Sequence, residues 1–333
     1  MKNLGGIAAA LLCSVALSAC GGGDSPSTGG GGTPTPSPTS SPSPTPSPSP
    51  SPTSYTKFHD IAVPVAFETA CFTADPFEAG SMPTLFGPQG FGQASALSYD
   101  GSDLSVAIKG VNGVTQSWTG DQRANLTTGW GPDEDQYHWS KPHPTSSDRE
   151  RLTMFVPYYG AVGGFQLNRY SRAITAKIRG AGTILSQTWC AGGVQTAAGD
   201  FPSGTKTYPD TDVSWGDMWA RDGSGQPELD RFWLTDFSNF ALEADFATNT
   251  VNLDITFAKA SGETFGPYTG TGTIGSKGEI SADLATADGT LMIRGSFFGP
   301  GASEYVVIYG LAEDTNGDGE NDLVFIGPVG ARE

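Results

Sequence analysis

The sequence predicts an all-β protein, and three observations carry that reading. Glycine is abundant at 46 of 333 residues, and 11% of residues are aromatic, a pairing that suits a turn-rich β protein better than a helical one. Period-2 apolar runs are common, whereas long 3.6-residue periods are scarce. Val251, Leu253, Ile255 and Phe257 alternate with Asn252, Asp254 and Thr256; Leu291, Ile293, Gly295 and Phe297 alternate with Met292, Arg294 and Ser296. Turn residues separate the runs, among them Ser261-Gly262, Ser276-Lys277-Gly278 and Asp288-Gly289. Further short strands are predicted at 173–178, 305–309 and 323–326. Such a meander must close on itself or be covered, because open edges invite aggregation, and a small barrel satisfies this. The outward positions carry Thr, Asp and Lys, so the barrel is expected in water rather than across a membrane.

Before the strands come two segments that do not fold. Met1-Lys2-Asn3, an apolar stretch over 6–16 and small residues ahead of Cys20 predict a secretory signal over 1–19. It is too short to span a bilayer. Leu17-Ser18-Ala19-Cys20, followed by Gly21, resembles the lipobox of bacterial lipoproteins. That resemblance implies cleavage before Cys20 and acyl chains, palmitate among them, on its thiol and new amino group. Gly21 and Gly22, with no Asp at the next position, imply the outer membrane. The alternative is an ordinary signal peptide with an incidental Cys20. Over 21–54 every residue except Asp24 is Gly, Pro, Ser or Thr, so nothing there can bury apolar surface. The Ser-Pro and Thr-Pro repeats favour polyproline II at ~3.1 Å per residue, a disordered stalk reaching up to roughly 100 Å.

Charge and cysteine content narrow the function classes. Lys plus Arg total 18 against 35 Asp plus Glu, a net −17, which excludes nucleic acid and a polybasic grip on anionic lipid. Of four cysteines, Cys13 leaves with the signal and Cys20 takes lipid. Cys71 and Cys190 remain, an even pair in an exported chain, and read as one disulfide; two buried free thiols are the alternative.

Three stretches carry a family resemblance. Ser203-Gly-Thr-Lys-Thr-Tyr208 resembles the opening of the barrel domain of transferrin-binding protein B-like surface lipoproteins. Gly295-Ser-Phe-Phe-Gly-Pro-Gly-Ala-Ser-Glu304 is similar to that family's Gly-x-Phe-Tyr-Gly-Pro-x-Ala-x-Glu signature, with Phe298 where Tyr is usual. Residues 323–333 resemble the closing strand, and 240–257 the family's paired strands with an Asn-Thr turn. After Glu304 the family usually has Gly-Gly and an aromatic, whereas Tyr305-Val306-Val307-Ile308-Tyr309 stands here. The resemblance implies a handle-like β domain over 55–204 and a C-terminal eight-stranded antiparallel β-barrel over 205–333, displayed at the cell surface. In this reading Gly295 and Gly299 suit bends at a barrel corner, with Phe297 or Phe298 pointing inside. The signature is then structural and binds nothing.

One insertion departs from the family pattern. Asp314, Asn316, Asp318 and Asp322 fall at relative positions 1, 3, 5 and 9, with Gly319 at position 6 and Glu320 placed to offer its backbone carbonyl. Alternate oxygen ligands around a turn-permitting Gly are what a Ca²⁺ loop needs. Phe325 stands where an EF-hand has its bidentate acid, so the expectation is a structural Ca²⁺ loop joining two strands. Five acids in ten residues with no base among them would repel without a cation. A solvated acidic hairpin tip is the alternative.

No catalytic residues are predicted. The chain has three histidines, His59, His138 and His143, no Gly-x-Ser-x-Gly elbow and no Cys-x-x-Cys. His138 and His143 are candidates for a haem or transition-metal ligand on a loop. Trp215, Trp219 and Trp233 flank an apparent loop at 220–230, a candidate contact surface at a barrel rim. The ligand-binding residues are otherwise unknown. The expected function is that of a non-enzymatic lipoprotein, anchored in outer-membrane lipid through Cys20, which binds an iron source or solute together with an outer-membrane uptake system. A protein or haem is the expected ligand and a TonB-type receptor the expected partner. The alternatives are a haem or small-solute binder sharing the barrel, and a structural or adhesion protein of the envelope.

Overall fold

Alternating side chains dictate sheets, and the described residues form two large ones and a separate two-stranded hairpin. The computed structural model describes residues 54–333, apart from 76–80, 92–95, 110, 112, 114, 127–135, 144–148, 156–157, 162–163, 180–183, 209–214, 222–226, 234–238 and 260–261. Cys20, the signal and the stalk up to residue 53 lie outside the described residues. The first strands are β1 (Pro64–Asp75), β2 (Thr84–Gln89), β3 (Ala96–Asp100), β4 (Ser105–Lys109), β5 (Thr115–Trp118) and β6 (Arg123–Leu126). Then come β7 (Gln136–Pro142), β8 (Arg149–Phe155), a separate hairpin of β9 (Tyr158–Ala161) and β10 (Gly164–Leu167), β11 (Ser171–Arg179) and β12 (Ile184–Gly193). They pair in the order β5-β4-β3-β1-β12-β11-β8-β7-β6, with β2 added to β1.

This first sheet curls around its own core of Phe67, Leu97, Ile108, Trp118, Trp139, Leu152 and Ile174. Its ends approach each other: Lys141 Nζ on β7 donates to Ser117 O on β5 at 2.7 Å, and Trp139 Nε1 donates to Leu104 O at 3.0 Å. Cys71 and Cys190 are register partners on β1 and β12 and are joined by a disulfide, their Cα atoms 4.2 Å apart.

The second half contains β13 (Thr205–Thr207), β14 (Trp215–Arg221), β15 (Pro227–Trp233), β16 (Asn239–Asp245) and β17 (Thr250–Ala258). β18 (Thr264–Ile274), β19 (Glu279–Ala285), β20 (Gly289–Phe298), β21 (Glu304–Glu313) and β22 (Leu323–Arg332) complete it. Eight strands, β16 through β22 and then β14, run consecutively; three-residue β13 borders one edge and β15 the other. Inward residues from all eight, such as Met218, Leu242, Leu253, Ile274, Leu284, Ile293, Tyr309 and Phe325, form a single core, as a barrel interior requires. The protein is therefore all-β, a handle-like sheet followed by an antiparallel barrel. Helices among the described residues are short 3₁₀ turns such as Phe58–Asp60, and none is long and apolar enough to cross a membrane.

One expectation needs correction. The expected loop over 220–230 is shorter than predicted: Ala220 and Arg221 belong to β14 and residues 227–230 to β15, where Ala220 pairs with Glu228 and Arg221 with Pro227, and 222–226 lie outside the described residues.

The two sheets pack back to back. On β1, Phe67 and Cys71 enter the handle core, while Ala70, Phe72 and Ala74 join a third cluster with Trp189 and Ala191 from β12 and Ala173 from β11. The barrel contributes the outward residues Phe298, Val306, Ile308, Val324, Ile326 and Trp219 to the same cluster. β21 and β22 are therefore buried on both faces, which is why 305–309 and 323–326 read as continuous apolar runs instead of alternating ones. Close approach is needed: a Cβ on Gly310 would stand 2.7 Å from the Phe72 ring. Burying a single Phe at this junction contributes about 1.5–3 kcal/mol.

The disulfide closes a loop with a sequence separation of 119. Replacing Cys71 and Cys190 together by Ser is expected to lower the unfolding free energy by about 2–4 kcal/mol, read as a lower denaturant midpoint. Alkylation of the non-reduced protein should leave both residues unmodified.

Candidate functional site

The signature residues of 295–304 lie at the handle–barrel junction and divide their work between its two sides. Phe297 points into the barrel, stacked on Tyr208 with ring centroids 5.8 Å apart. Phe298 points the other way and meets Phe91 of the handle at 6.0 Å. Gly295 lies within the ladder opposite Val307, not at a corner. Gly299 does turn a corner, with φ +72°, and a Cβ there would stand 2.4 Å from the Tyr170 ring. Its N–H donates to Val194 O at 3.0 Å, and Thr196 Oγ1 donates to Gly299 O at 2.8 Å.

Glu304 closes the signature. Its carboxylate is fully buried and accepts from the handle backbone: Arg169 N to Oε1, and Tyr170 N (3.0 Å) and Ser171 N (3.1 Å) to Oε2. Ser171 Oγ adds a further bond at 2.9 Å. Burial pushes the carboxyl up from its ordinary value, opposed by these hydrogen bonds and by the nearby Arg172 charge. A second polar contact crosses the junction farther along the strands. Asp217 Oδ2 on β14 accepts from Gln187 Nε2, from Lys177 Nζ at 3.2 Å and from Trp189 Nε1 at 3.3 Å. A buried carboxylate held this way would be costly to leave unpaired.

At the rim of the junction the two halves leave an open cleft of about 360 Å³. Ser81, Met82, Pro83 and Thr84 line it from the handle, and Arg221, Gly319, Glu320 and Asn321 from the barrel. The barrel wall is the acidic hairpin tip between β21 and β22. Within that tip, Asp314 Oδ1 accepts from Gly317 N at 2.7 Å and Asp318 N at 3.2 Å, and Oδ2 from Gly319 N at 2.8 Å. These amides hold the Asp314 carboxyl below its ordinary value. Asp322 Oδ2 accepts from Thr315 N at 3.0 Å and Asn316 N at 3.2 Å, and Asp318 Oδ1 from Glu320 N at 2.8 Å.

The electrostatic premise behind a calcium loop changes here. A base does face these acids: Arg221 Nη2 lies 2.6 Å from Glu320 Oε2, and its Nε lies 3.4 Å from Asp322 Oδ1. It comes from β14, about a hundred residues away in sequence, and local spacing could not reveal it. Among the described residues no group of three or more His, Cys, Asp or Glu side chains is gathered around a common point for a metal ion.

The other sequence candidates are scattered. His138 Nδ1 shares a hydrogen bond with Thr153 Oγ1 at 2.9 Å, on the outer face of β7 and β8. His143 Nε2 lies 3.9 Å from Glu150 Oε1, which also pairs with Lys141, on the inner face. Five residues apart around a strand, the two histidines face opposite ways. His59 lies 2.9 Å from Asp60. Trp219 is buried in the junction, and Trp118, Trp139 and Trp189 are buried in the handle, so none of these four offers an open sugar platform. The side chains of Trp215 and Trp233 lie outside the described residues. Sequence reasoning missed Arg221, Asp217 and the Glu304 clamp; only Glu304 carried a signal, as the last residue of the signature.

No family model and no curated protein matches the chain. Solved structures do. A transferrin-binding protein B double mutant from Haemophilus parasuis is similar at 12% identity and a TM-score of 0.44, over 80% of this chain and 44% of that one. This chain thus spans less than half the length of that protein. The haemoglobin receptor HpuA from Kingella denitrificans is similar at 13% identity and a TM-score of 0.35, over 80% of this chain and 87% of that one. The N-lobe domain of lactoferrin-binding protein B from Moraxella bovis is similar at 11% identity and a TM-score of 0.30, over 59% and 79%.

The Glu304 clamp predicts a pH dependence. A carboxyl raised on folding contributes stability that is present below its ordinary pKa and lost as pH rises through the folded value. Wild type should therefore lose stability relative to Glu304→Gln as pH rises above the ordinary glutamate range. Denaturant midpoints of the two proteins across that range check it, and a difference constant with pH would contradict it.

Proposed function

We propose that the chain is a non-enzymatic binding protein, held at the outer-membrane surface by acyl chains on Cys20 and carried outward by its stalk. The observation that carries the reading is the position of the signature residues. Phe298, Gly299 and Glu304, read in sequence as a surface-lipoprotein motif, are the residues that fasten the handle to the barrel. A fastening of that kind serves a chain that presents two halves as one body at the end of a tether. The described residues fit presentation better than catalysis: the buried carboxylates Glu304 and Asp217 are used for docking, and the histidines are spread over the handle instead of gathered at one point. The cargo in this reading is an iron- or haem-bearing protein, handed on to a TonB-type outer-membrane receptor. Transferrin, lactoferrin and haemoglobin are named for the similar structures and are the first ligands to test.

Two measurements check the anchor and the cargo separately. Radiolabelled palmitate should enter the wild-type protein and be absent from Cys20→Ser; label retained in the variant would remove the anchor. Immobilised transferrin, lactoferrin or haemoglobin should capture the purified protein; failure of all three would remove the cargo class.

Calcium is a further proposal, confined to the acidic tip. Asp314, Asn316, Asp318 and Asp322 would supply side-chain oxygens and Glu320 a carbonyl, with the ion serving to hold the tip's shape. Arg221 competes for the same charge, so a low affinity is expected. Calorimetry should detect calcium binding that Asp318→Ala abolishes and Arg221→Ala strengthens. Unchanged affinity in Asp318→Ala would remove the ion.

A further inference from the structure

Asn316 and Gly317 lie side by side in the β21–β22 tip, and both are exposed. An Asn followed by Gly is the pair best suited to attack on itself. The backbone nitrogen after an Asn can close a succinimide ring on the side-chain Cγ, and Gly puts no Cβ in the way.

In the tip each atom of that reaction already has a partner. Gly317 N, the nucleophile, donates to Asp314 Oδ1 at 2.7 Å. A carboxylate there is placed to take the proton as the nitrogen attacks. Asn316 Oδ1, where negative charge develops, accepts from Asp318 N at 2.9 Å, and such a donor stabilises an oxyanion. Asn316 Nδ2, the leaving nitrogen, donates to Asp322 Oδ1 at 3.2 Å. The amide is thus held at both ends, which fixes the side chain against rotation before any reaction. Each bond also serves the turn, so rate measurements rather than geometry have to separate the two roles.

We propose that Asn316 is a self-modifying site, converted in the folded protein to aspartate and isoaspartate with Asp314 as the base. Gly317 N bonds to Asn316 Cγ while Asp314 takes its proton. The Cγ–Nδ2 bond breaks, and Nδ2 leaves as ammonia with that proton. Solvent water then opens the succinimide at either carbonyl, and nothing is oxidised or reduced. The product carries a carboxylate where an amide stood, so a like charge replaces the donor facing Asp322. Isoaspartate also adds a methylene to the main chain. Gly319, Glu320 and Asn321 form the barrel wall of the cleft, and the change reshapes that wall. The proposal does not rest on the iron-cargo reading.

The test holds purified full-length protein at neutral pH, with EDTA to keep calcium from Asp314. Peptide mapping follows Asn, Asp and isoaspartate at position 316 over time, in buffer and in urea, where the tip is unfolded. Folded wild type should convert faster than the protein in urea. Asp314→Asn should slow conversion in buffer by at least about tenfold, a modest share of what a positioned base contributes, and leave the rate in urea unchanged. Three results would overturn the proposal: Asn316 staying intact, a folded rate at or below the rate in urea, or an unchanged folded rate in Asp314→Asn.

Discussion

The fold depends on burial of the handle's outer face against the barrel's outer face. Ala70, Phe72 and Ala74 of β1 meet Phe298, Val306, Ile308 and Val324 there, and Glu304 and Asp217 lock the contact with hydrogen bonds at its margin. Without that burial, β21 and β22 would expose an apolar face to water and β1 would lose half its packing. The two carboxylates fix the register of the contact, which apolar packing by itself specifies weakly. Glu304 accepts from Arg169, Tyr170 and Ser171 of the handle, and Asp217 from Lys177, Gln187 and Trp189, so separating the halves would remove these bonds.

The cleft between the halves is placed by this junction. The cleft exists because the β1–β2 connection of the handle and the β21–β22 tip of the barrel are brought together, and neither half could form it by itself. Charge is distributed unevenly across the two halves. From Thr205 to Glu333 the sequence has seven Lys or Arg against 21 Asp or Glu, so most of the net −17 belongs to the barrel. The acidic tip is a part of that excess, and Arg221 offsets it locally.

The strands of the barrel were legible because their residues alternate and their turns carry Asp-Gly and Ser-Lys-Gly. The disulfide was legible from cysteine arithmetic. The expected corner at Gly299 and the inward Phe297 follow from the signature; the outward Phe298 does not, because a residue between two packed sheets has apolar neighbours on either side. Period 2 alone would have separated His138 from His143. Arg221 was hidden because the charge that faces an acidic loop can come from any strand adjacent in space. The arms of the β14–β15 hairpin were misread as loop because Gly223, Gly225 and Pro227 look like loop chemistry, whereas register with β22 decides the matter.

The central claim is that handle and barrel form one cooperative body, and unfolding tests it most directly. Denaturant titration should be followed by two probes at once, alkylation of the reduced Cys71–Cys190 pair for the handle and hydrogen exchange of β17 amides for the barrel. In wild type the two should report one coincident transition. Phe298→Ala should shift both together by about 3–5 kcal/mol, the cost of emptying a buried aromatic site. Two separate transitions in wild type, or a Phe298→Ala shift confined to one probe, would contradict the account.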